Sequence, residues 1–159
     1  MKLVRREQNG KNGTVFHFQI MESEKDWLLA ALKLYPLLDS SHHQISKSSD
    51  TEADQQLLEE SMAEQRSDHK TKLDHFLRDA GRFAEDSPGL FRFTLSPDQA
   101  QWLLQVLNEL RVGSWIKLGR PDLTLARQRP LNKQDSRHVM TMEISGYFQM
   151  ALLEAFDAK

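Results

Sequence analysis

The chain contains no cysteine among its 159 residues. This absence excludes disulfide bonds, thiolate metal ligands and a cysteine nucleophile, and it is compatible with a reducing compartment. Long apolar runs are missing too, since no window approaches the roughly 18 apolar residues that a membrane span needs. The N-terminal stretch MKLVRREQNG has no apolar segment of signal-peptide length. We therefore expect a cytoplasmic protein that makes no contact with a membrane.

Sequence motifs of known chemistry are also missing. The histidines form no HExxH pattern, and the chain has no glycine-rich phosphate loop, no GxSxG elbow and no GxGxxG after a strand. Paired carboxylates such as Glu59 and Glu60 fall in a polar stretch and are typical of a solvated helix face. We accordingly expect no catalytic residues, no metal, no cofactor and no enzymatic activity.

The charged residues are unevenly distributed along a chain of ordinary composition. Hydrophobic residues make up 39% of the sequence and charged residues 28%, which is usual for a folded protein. The length suits one hydrophobic core, so we expect residues 1–159 to form a single domain. Residues 50–86 hold eleven acidic and five basic side chains, whereas residues 110–137 hold seven basic and two acidic ones. This gradient indicates either a solvated acidic helix followed by a basic loop, or a surface for partner recognition.

Alternating apolar residues predict a small antiparallel sheet. Residues 2–8 and 14–20 flank NGKNG, whose two Asn-Gly pairs supply the positive φ angles that a tight hairpin needs. Residues 90–95 show the same alternation and predict a third strand. Because an isolated hairpin is marginal in water, we expect a three-stranded sheet with helices over its apolar face.

Capping residues and apolar stripes predict four helices and therefore an α+β fold. The first should run from Ser23, as N-cap, to about Leu38, with Pro36 bending or ending it. A capping box at Ser49 and Glu52 opens a second helix that reaches toward Ala80. The third begins after Ser96, with Pro97 at its first position, and the fourth occupies the C-terminal stretch HVMTMEISGYFQMALLEAFDAK.

Helical periodicity also predicts which side chains of these helices face the core. Each helix has apolar residues three or four positions apart, and His69 falls in register with such residues as a half-buried contact. Segments 39–50 and 120–137 are polar and typical of connecting loops. The predicted core-facing residues that matter below are Trp27, Leu57, Leu73, Phe76, Met140, Tyr147, Phe148, Ala151 and Ala155.

The third helix carries a charged residue inside its apolar arc. At about 100° per residue, Arg111 projects among the leucines, Asn108 falls at the edge of the arc, and Glu109 points to water. An arginine in such a place must either extend to the edge of the arc or meet a carboxylate or backbone carbonyls, and the fourth helix offers Glu143 and Glu154 as partners. Arg111 is therefore either half of a buried ion pair that fixes helix register or a clamp for an anionic ligand or partner.

The run from LFRFTLSPDQAQWLLQVLNELRVGSWIKLG to GYFQMALLEAF resembles an uncharacterised bacterial domain family. Its members show a leucine-asparagine-acidic-leucine-arginine run on a tryptophan-bearing helix, here residues 107–111. Their terminal aromatic helix is similar to Tyr147, Phe148, Gln149, Leu152 and Leu153. Gly113 stands where a bulkier residue is expected. The family has no assigned activity, and its genes often neighbour that of the Clp-protease adaptor, so the resemblance implies a link to regulated proteolysis.

Two classes of function remain open after these exclusions. The first is a non-enzymatic interaction or regulatory module that binds a protein partner or its own copies, with Asn108, Arg111 and Glu143 as candidate residues. The second is nucleic-acid binding through the basic segment 120–137, in which Arg127 and Arg129 are the candidates. The net charge of −2 and the lack of interleaved aromatic residues in that segment favour the first class.

Overall fold

In the computed structural model, the residues described are 1–9, 13–38, 52–120 and 132–157. They form an α+β structure in which four helices accompany an antiparallel sheet, as the sequence predicts. The elements are β1 (Lys2–Asn9), β2 (Gly13–Met21), α1 (Glu22–Leu32), α2 (Glu52–Arg78), β3 (Ala84–Ser87), β4 (Leu90–Leu95), α3 (Pro97–Lys117) and α4 (Lys133–Asp157).

The sheet has four strands in the order β1-β2-β4-β3, so the prediction of three strands was wrong. The predicted hairpin is present as β1 and β2, and Gly13 adopts the positive φ of 77° expected at such a connection. Strand β2 pairs antiparallel with β4 and places Phe18 opposite Phe93. The two aromatic rings stack with their centroids 5.3 Å apart, which joins the hairpin to the later part of the chain.

The additional strand, β3, lies at the edge of the sheet beside β4. All of its residues are exposed, so it lacks the apolar alternation by which a strand is recognised in a sequence. Its contacts are mainly backbone pairing, together with an ion pair of 2.8 Å between Asp86 and Arg92. Polar edge strands of this kind discourage pairing with other chains.

One face of the sheet is buried beneath the helices and forms the core. Alternating residues of β2 and β4 point into this core, as their period of two predicts. Helices α3 and α4 make the most extensive contact between helices and cover much of the apolar face. The largest fully buried side chains are Phe16, Phe18, Phe148, Ile20, Leu28, Leu32, Leu95, Leu103, Leu107, Leu110, Leu152 and Val106.

Helix α1 is shorter than predicted and begins at a different residue. Met21 is its N-cap in place of Ser23, and the backbone N–H of Met21 donates to the Glu24 carboxylate over 2.9 Å. The helix ends at Leu32, ahead of the position that Pro36 restricts. Trp27 was expected to face the core, but it is 51% exposed because Leu28, Ala31 and Leu32 form the buried stripe instead.

Helix α3 starts as its sequence predicts. The Ser96 hydroxyl accepts from the backbone N–H of Gln99 over 3.1 Å, and the Gln99 side chain accepts from the backbone N–H of Ser96 over 3.0 Å. Pro97 occupies the first turn, where its missing N–H costs nothing. These local interactions explain why the start of this helix could be predicted from the sequence alone.

Helix α2 is attached to the core mainly through its C-terminal half. His69, Leu73 and Phe76 are buried, and the last two confirm the sequence prediction. Leu57 was predicted to contact the core but is 67% exposed. The predicted N-cap of this helix, Ser49, lies outside the described residues.

Helix α4 begins earlier than predicted, so Lys133 and Arg137 belong to a helix rather than to a loop ending at residue 137. Phe148, Ala151 and Ala155 are buried as predicted, whereas Met140 and Tyr147 are exposed. The buried stripe is rotated because Thr141, Ser145 and Leu152 share it. Within the ranges described, no helix is long and apolar enough to cross a membrane.

Candidate binding surfaces

Arg111 lies on the side of α3 that meets α4, but its side chain is exposed and not buried within the apolar arc. Its guanidinium donates to Oε1 of Gln149 across 3.5 Å. It also lies over Gly146, where a Cβ would stand 3.8 Å from the arginine Nε. The glycine therefore leaves a shallow place for the guanidinium between the two helices.

The expected ion pair between Arg111 and Glu143 is not formed in the described part of the chain. The two residues do line the same depression, which has a volume of about 380 Å³ and also includes Gly146, Tyr147 and Met150. The structure thus brings the two candidates to one site without joining them. Because the guanidinium of Arg111 is exposed, it is hydrated by solvent and does not require a carboxylate partner.

Asn108 lies one helical turn before Arg111 and shares its partner. Gln149 donates through Nε2 to Oδ1 of Asn108 over 3.5 Å, while its carbonyl oxygen accepts from Arg111. Residues three apart on a helix lie on the same edge, which allows one side chain to meet both. The structure thus places Asn108, Arg111 and Gln149 together.

The outer face of α4 exposes more apolar surface than isolated side chains usually do. Met150 is 64% exposed and Leu153 is 53% exposed, and both follow the depression at Arg111 along the helix. Glu143 and Glu154 flank this apolar stripe. Contiguous exposed apolar surface bordered by charges is typical of a binding site, and methionine adapts its shape to varied partners. We call the surface formed by Arg111, Glu143, Tyr147, Met150 and Leu153 the α4 surface.

Tyr147 ties one edge of the α4 surface to helix α1. Its hydroxyl donates to Glu24, which also accepts from the ammonium group of Met1. Partial loss of solvent around its hydroxyl, together with the hydrogen bond and the negative charge of Glu24, raises the pKa of Tyr147 to about 12. Burial opposes ionisation of Glu24, but the bonds from Met1, Tyr147 and the Met21 backbone outweigh it and lower the pKa of Glu24. The contact therefore fixes the tyrosine ring at the rim of the surface.

A second group of polar side chains meets where α2, α3 and the segment after α1 converge. The Tyr35 hydroxyl donates to Glu109 over 3.1 Å and lies 3.4 Å from Nδ1 of His69. The Glu109 carboxylate is 3.4 Å from the same His69 nitrogen and 3.9 Å from Nε of Arg66. Glu109 was expected to point to water, and it instead joins three elements. Sequence reasoning missed this cluster because its members are up to 74 residues apart.

The burial of this cluster affects the ionisation of its tyrosine. The pKa of Tyr35 is raised well above its ordinary value. Burial is the largest cause, and the negative charge of Glu109 and its hydrogen bond add to it. Tyr35 thus stays protonated and remains a donor. Beside the cluster is a groove of about 360 Å³ whose lining includes the apolar Leu37, Val112 and Trp115 as well as Arg66 and Glu109 of the cluster. A groove with apolar walls and few polar groups is a general form of binding pocket.

Two of the predicted site residues belong to the basic segment 120–137. Arg127 and Arg129 lie outside the described residues, so the basic-segment hypothesis stays a prediction. Among the residues that are described, no three His, Asp or Glu side chains are grouped as metal ligands would be. Comparisons of the chain with models of protein families, with curated proteins and with solved structures found no match.

Proposed function

We propose that this chain is a non-enzymatic protein-binding module and that the α4 surface is its contact site. The proposal rests on Met150 and Leu153, which are exposed beside Arg111 on a helix whose opposite face is buried. Removing such apolar area from water on binding would contribute roughly 25 cal/mol for each Å² buried. A helix that served only the core would gain nothing from these side chains.

The charges around the stripe indicate the chemistry of the partner. Among the residues described, Glu143, Glu154 and Asp157 of α4 border it, together with the guanidinium of Arg111. We infer that the partner presents an amphipathic segment, with apolar side chains for the stripe and basic groups for the acidic border. Such complementarity contributes mainly to orientation and association rate, while apolar anchors supply most of the affinity. The resemblance to a family encoded beside the Clp-protease adaptor favours a partner in regulated proteolysis.

The test compares the parent chain with a variant carrying Met150→Asp and Leu153→Asp. Both positions are exposed, so the variant should fold with nearly unchanged stability. Each protein is used as bait in its native lysate, and bound proteins are quantified by mass spectrometry. A partner that uses the α4 surface should be depleted at least about tenfold by the double variant, since the two substitutions remove well over 1.4 kcal/mol of binding free energy. Cross-links from that partner should then map to α4.

Leu57→Asp is the matched control, because Leu57 is equally apolar and 67% exposed on α2. This variant should retain the partner in full. Equal capture by the α4 variant, or equal loss with Leu57→Asp, would refute the proposed site. If the α4 surface instead covers a second copy, sedimentation of the parent alone will show a dimer that the double variant lacks.

Nucleic-acid binding through residues 120–137 predicts a different result. In that case a gel shift with mixed DNA and RNA should appear at low salt, weaken steeply as salt rises, and be lost with Arg127→Ala and Arg129→Ala. The α4 variant should leave such a shift unchanged. The two classes of function are thus separated by which pair of substitutions abolishes binding.

A further inference from the structure

A cavity separate from both surfaces lies between the C-terminal half of α2 and the first turns of α3. Its volume is about 250 Å³. Phe76 from α2 and Trp102 from α3 form aromatic walls, and their ring centroids are 5.9 Å apart. The guanidinium of Arg82, from the segment after α2, lies 4.9 Å from the centre of the Phe76 ring. The cavity therefore combines flat apolar surfaces with a cation held at one side.

Two of the residues that line this cavity carry a buried N–H group without a hydrogen-bond partner within the described ranges. The two groups are Nε1 of Trp102, a residue that is only 7% exposed, and Nε of Arg82. Indole and guanidinium nitrogens donate hydrogen bonds and accept none. Because buried polar groups nearly always have partners, two unsatisfied donors on one cavity point to an occupant that brings acceptors.

Charged groups of both signs line the cavity and indicate how a ligand would be oriented in it. Lys72 and His75, both on α2, line the cavity together with Arg82. The Lys72 side chain is largely exposed, with Asp68 at 3.3 Å as its partner, and Nη2 of Arg82 lies 3.3 Å from the Asp79 carboxylate. Asp98, in the first turn of α3, is the acidic residue of the lining. A carboxylate would therefore be placed toward the α2 side, and an ammonium group, where the ligand has one, toward Asp98.

We propose that this cavity binds a small aromatic carboxylate. The ring would lie against Phe76 and Trp102, and the carboxylate would accept from the Trp102 and Arg82 donors while Lys72 balances its charge. A free aromatic amino acid satisfies the same pattern and adds an ammonium group for Asp98. This site is distinct from the α4 surface, so the proposal stands independently of the proposed function.

The experiment uses phenylacetate as the probe and the indole N–H resonances of the intact protein as the readout. The chain has three tryptophans, and Trp102→Phe identifies which of the three signals belongs to Trp102. Phenylacetate should move that signal downfield, as expected when an N–H donates to a carboxylate, with a dissociation constant on the order of 1 mM for a ligand of this size. Phenethylamine, with the same ring and the opposite charge, should not move it.

Lys72→Gln and Lys70→Gln form the matched pair of variants, since both lysines are exposed on α2 and only Lys72 lines the cavity. Lys72→Gln should weaken phenylacetate binding about three- to fivefold, as the loss of an exposed charge contact predicts, and Lys70→Gln should not. L-Phenylalanine should bind at least as tightly as phenylacetate, and Asp98→Asn should weaken L-phenylalanine alone. An unmoved Trp102 signal well above millimolar ligand, equal binding of phenethylamine, or full affinity in Lys72→Gln would overturn the proposal.

Discussion

The hydroxyl group of Tyr35 donates a hydrogen bond to the carboxylate of Glu109, with 3.1 Å between the two oxygens. Tyr35 lies in the segment after α1, and Glu109 lies on α3, so the bond joins two parts of the chain that periodicity cannot relate. Tyr35 is buried and its hydroxyl also lies near His69 of α2. A buried hydroxyl that meets a charged acceptor makes one of the stronger kinds of hydrogen bond. The pair therefore helps to hold the segment after α1 against α3, beside His69 of α2.

We predict that Tyr35→Phe and Glu109→Ala each destabilise the protein by about 1–2 kcal/mol, because each removes one of the two groups of this hydrogen bond. The double variant should lose less than the sum, with a coupling of about 1 kcal/mol in a double-mutant cycle. Urea unfolding measures these free energies. Asn108→Ala, a neighbouring change at an exposed position, serves as the control, and additivity of the two main substitutions would show that the contact is unimportant.

Tyr147 should make stability depend on pH in the alkaline range. Its pKa rises from 10.0 to about 12 in the folded protein, so the protonated hydroxyl is favoured by folding. That contribution is complete below pH 10.0, the unfolded value, and is lost as the pH rises toward about 12. Ultraviolet titration of the native protein should therefore show neither of the two tyrosines ionising at the ordinary pKa. Glu24→Gln should lower the pKa of Tyr147, and a parent chain in which both tyrosines ionise normally would contradict the assignment.

Arg111→Ala should change stability by less than about 1 kcal/mol, since exposed charges contribute little to folding. A buried ion pair with Glu143 would have cost roughly 3 kcal/mol on losing its arginine. Thermal unfolding of Arg111→Ala, of Glu143→Gln and of the combined variant measures the difference. The two changes should be additive, because the side chains share a depression without forming an ion pair. A loss of stability of roughly 3 kcal/mol in Arg111→Ala would support the buried ion pair instead.

Substitution by alanine should have different effects on stability at the glycine in α3 and at the glycine in α4. A Cβ at Gly146 would lie 3.8 Å from Arg111, an ordinary contact, so Gly146→Ala should stabilise the protein by about 0.5–1 kcal/mol through helix propensity. A Cβ at Gly113 would lie 3.1 and 3.2 Å from two atoms of Leu37. The free energy of unfolding of the Gly113→Ala variant should therefore be at least about 1 kcal/mol lower than that of the Gly146→Ala variant. Equal stabilisation by both, measured by urea unfolding, would mean that Leu37 moves aside without cost.

Local interactions explain the parts of the fold that were readable from the sequence. The hairpin needs only its Asn-Gly turn and an alternating pattern, and α3 needs only the serine, proline and glutamine at its start. These signals act over a few residues. The α+β class, the pairing of β1 with β2, and the buried Phe76 and Phe148 follow from them. The rotated stripe of α4 was missed because small residues such as Ser145 and Thr141 can be buried without appearing apolar.

The candidate sites depended on information that periodicity does not contain. The apolar pattern was enough to put Arg111, Asn108 and Glu143 on two amphipathic helices, but it does not show how far each helix is rotated against the other. Only the tertiary packing decided that Arg111 is exposed beside Gly146 and that Glu109 is drawn in by Tyr35. The physical reason is that a polar side chain at the edge of an apolar stripe can face either water or a partner, and the neighbouring elements determine which of the two has the lower free energy.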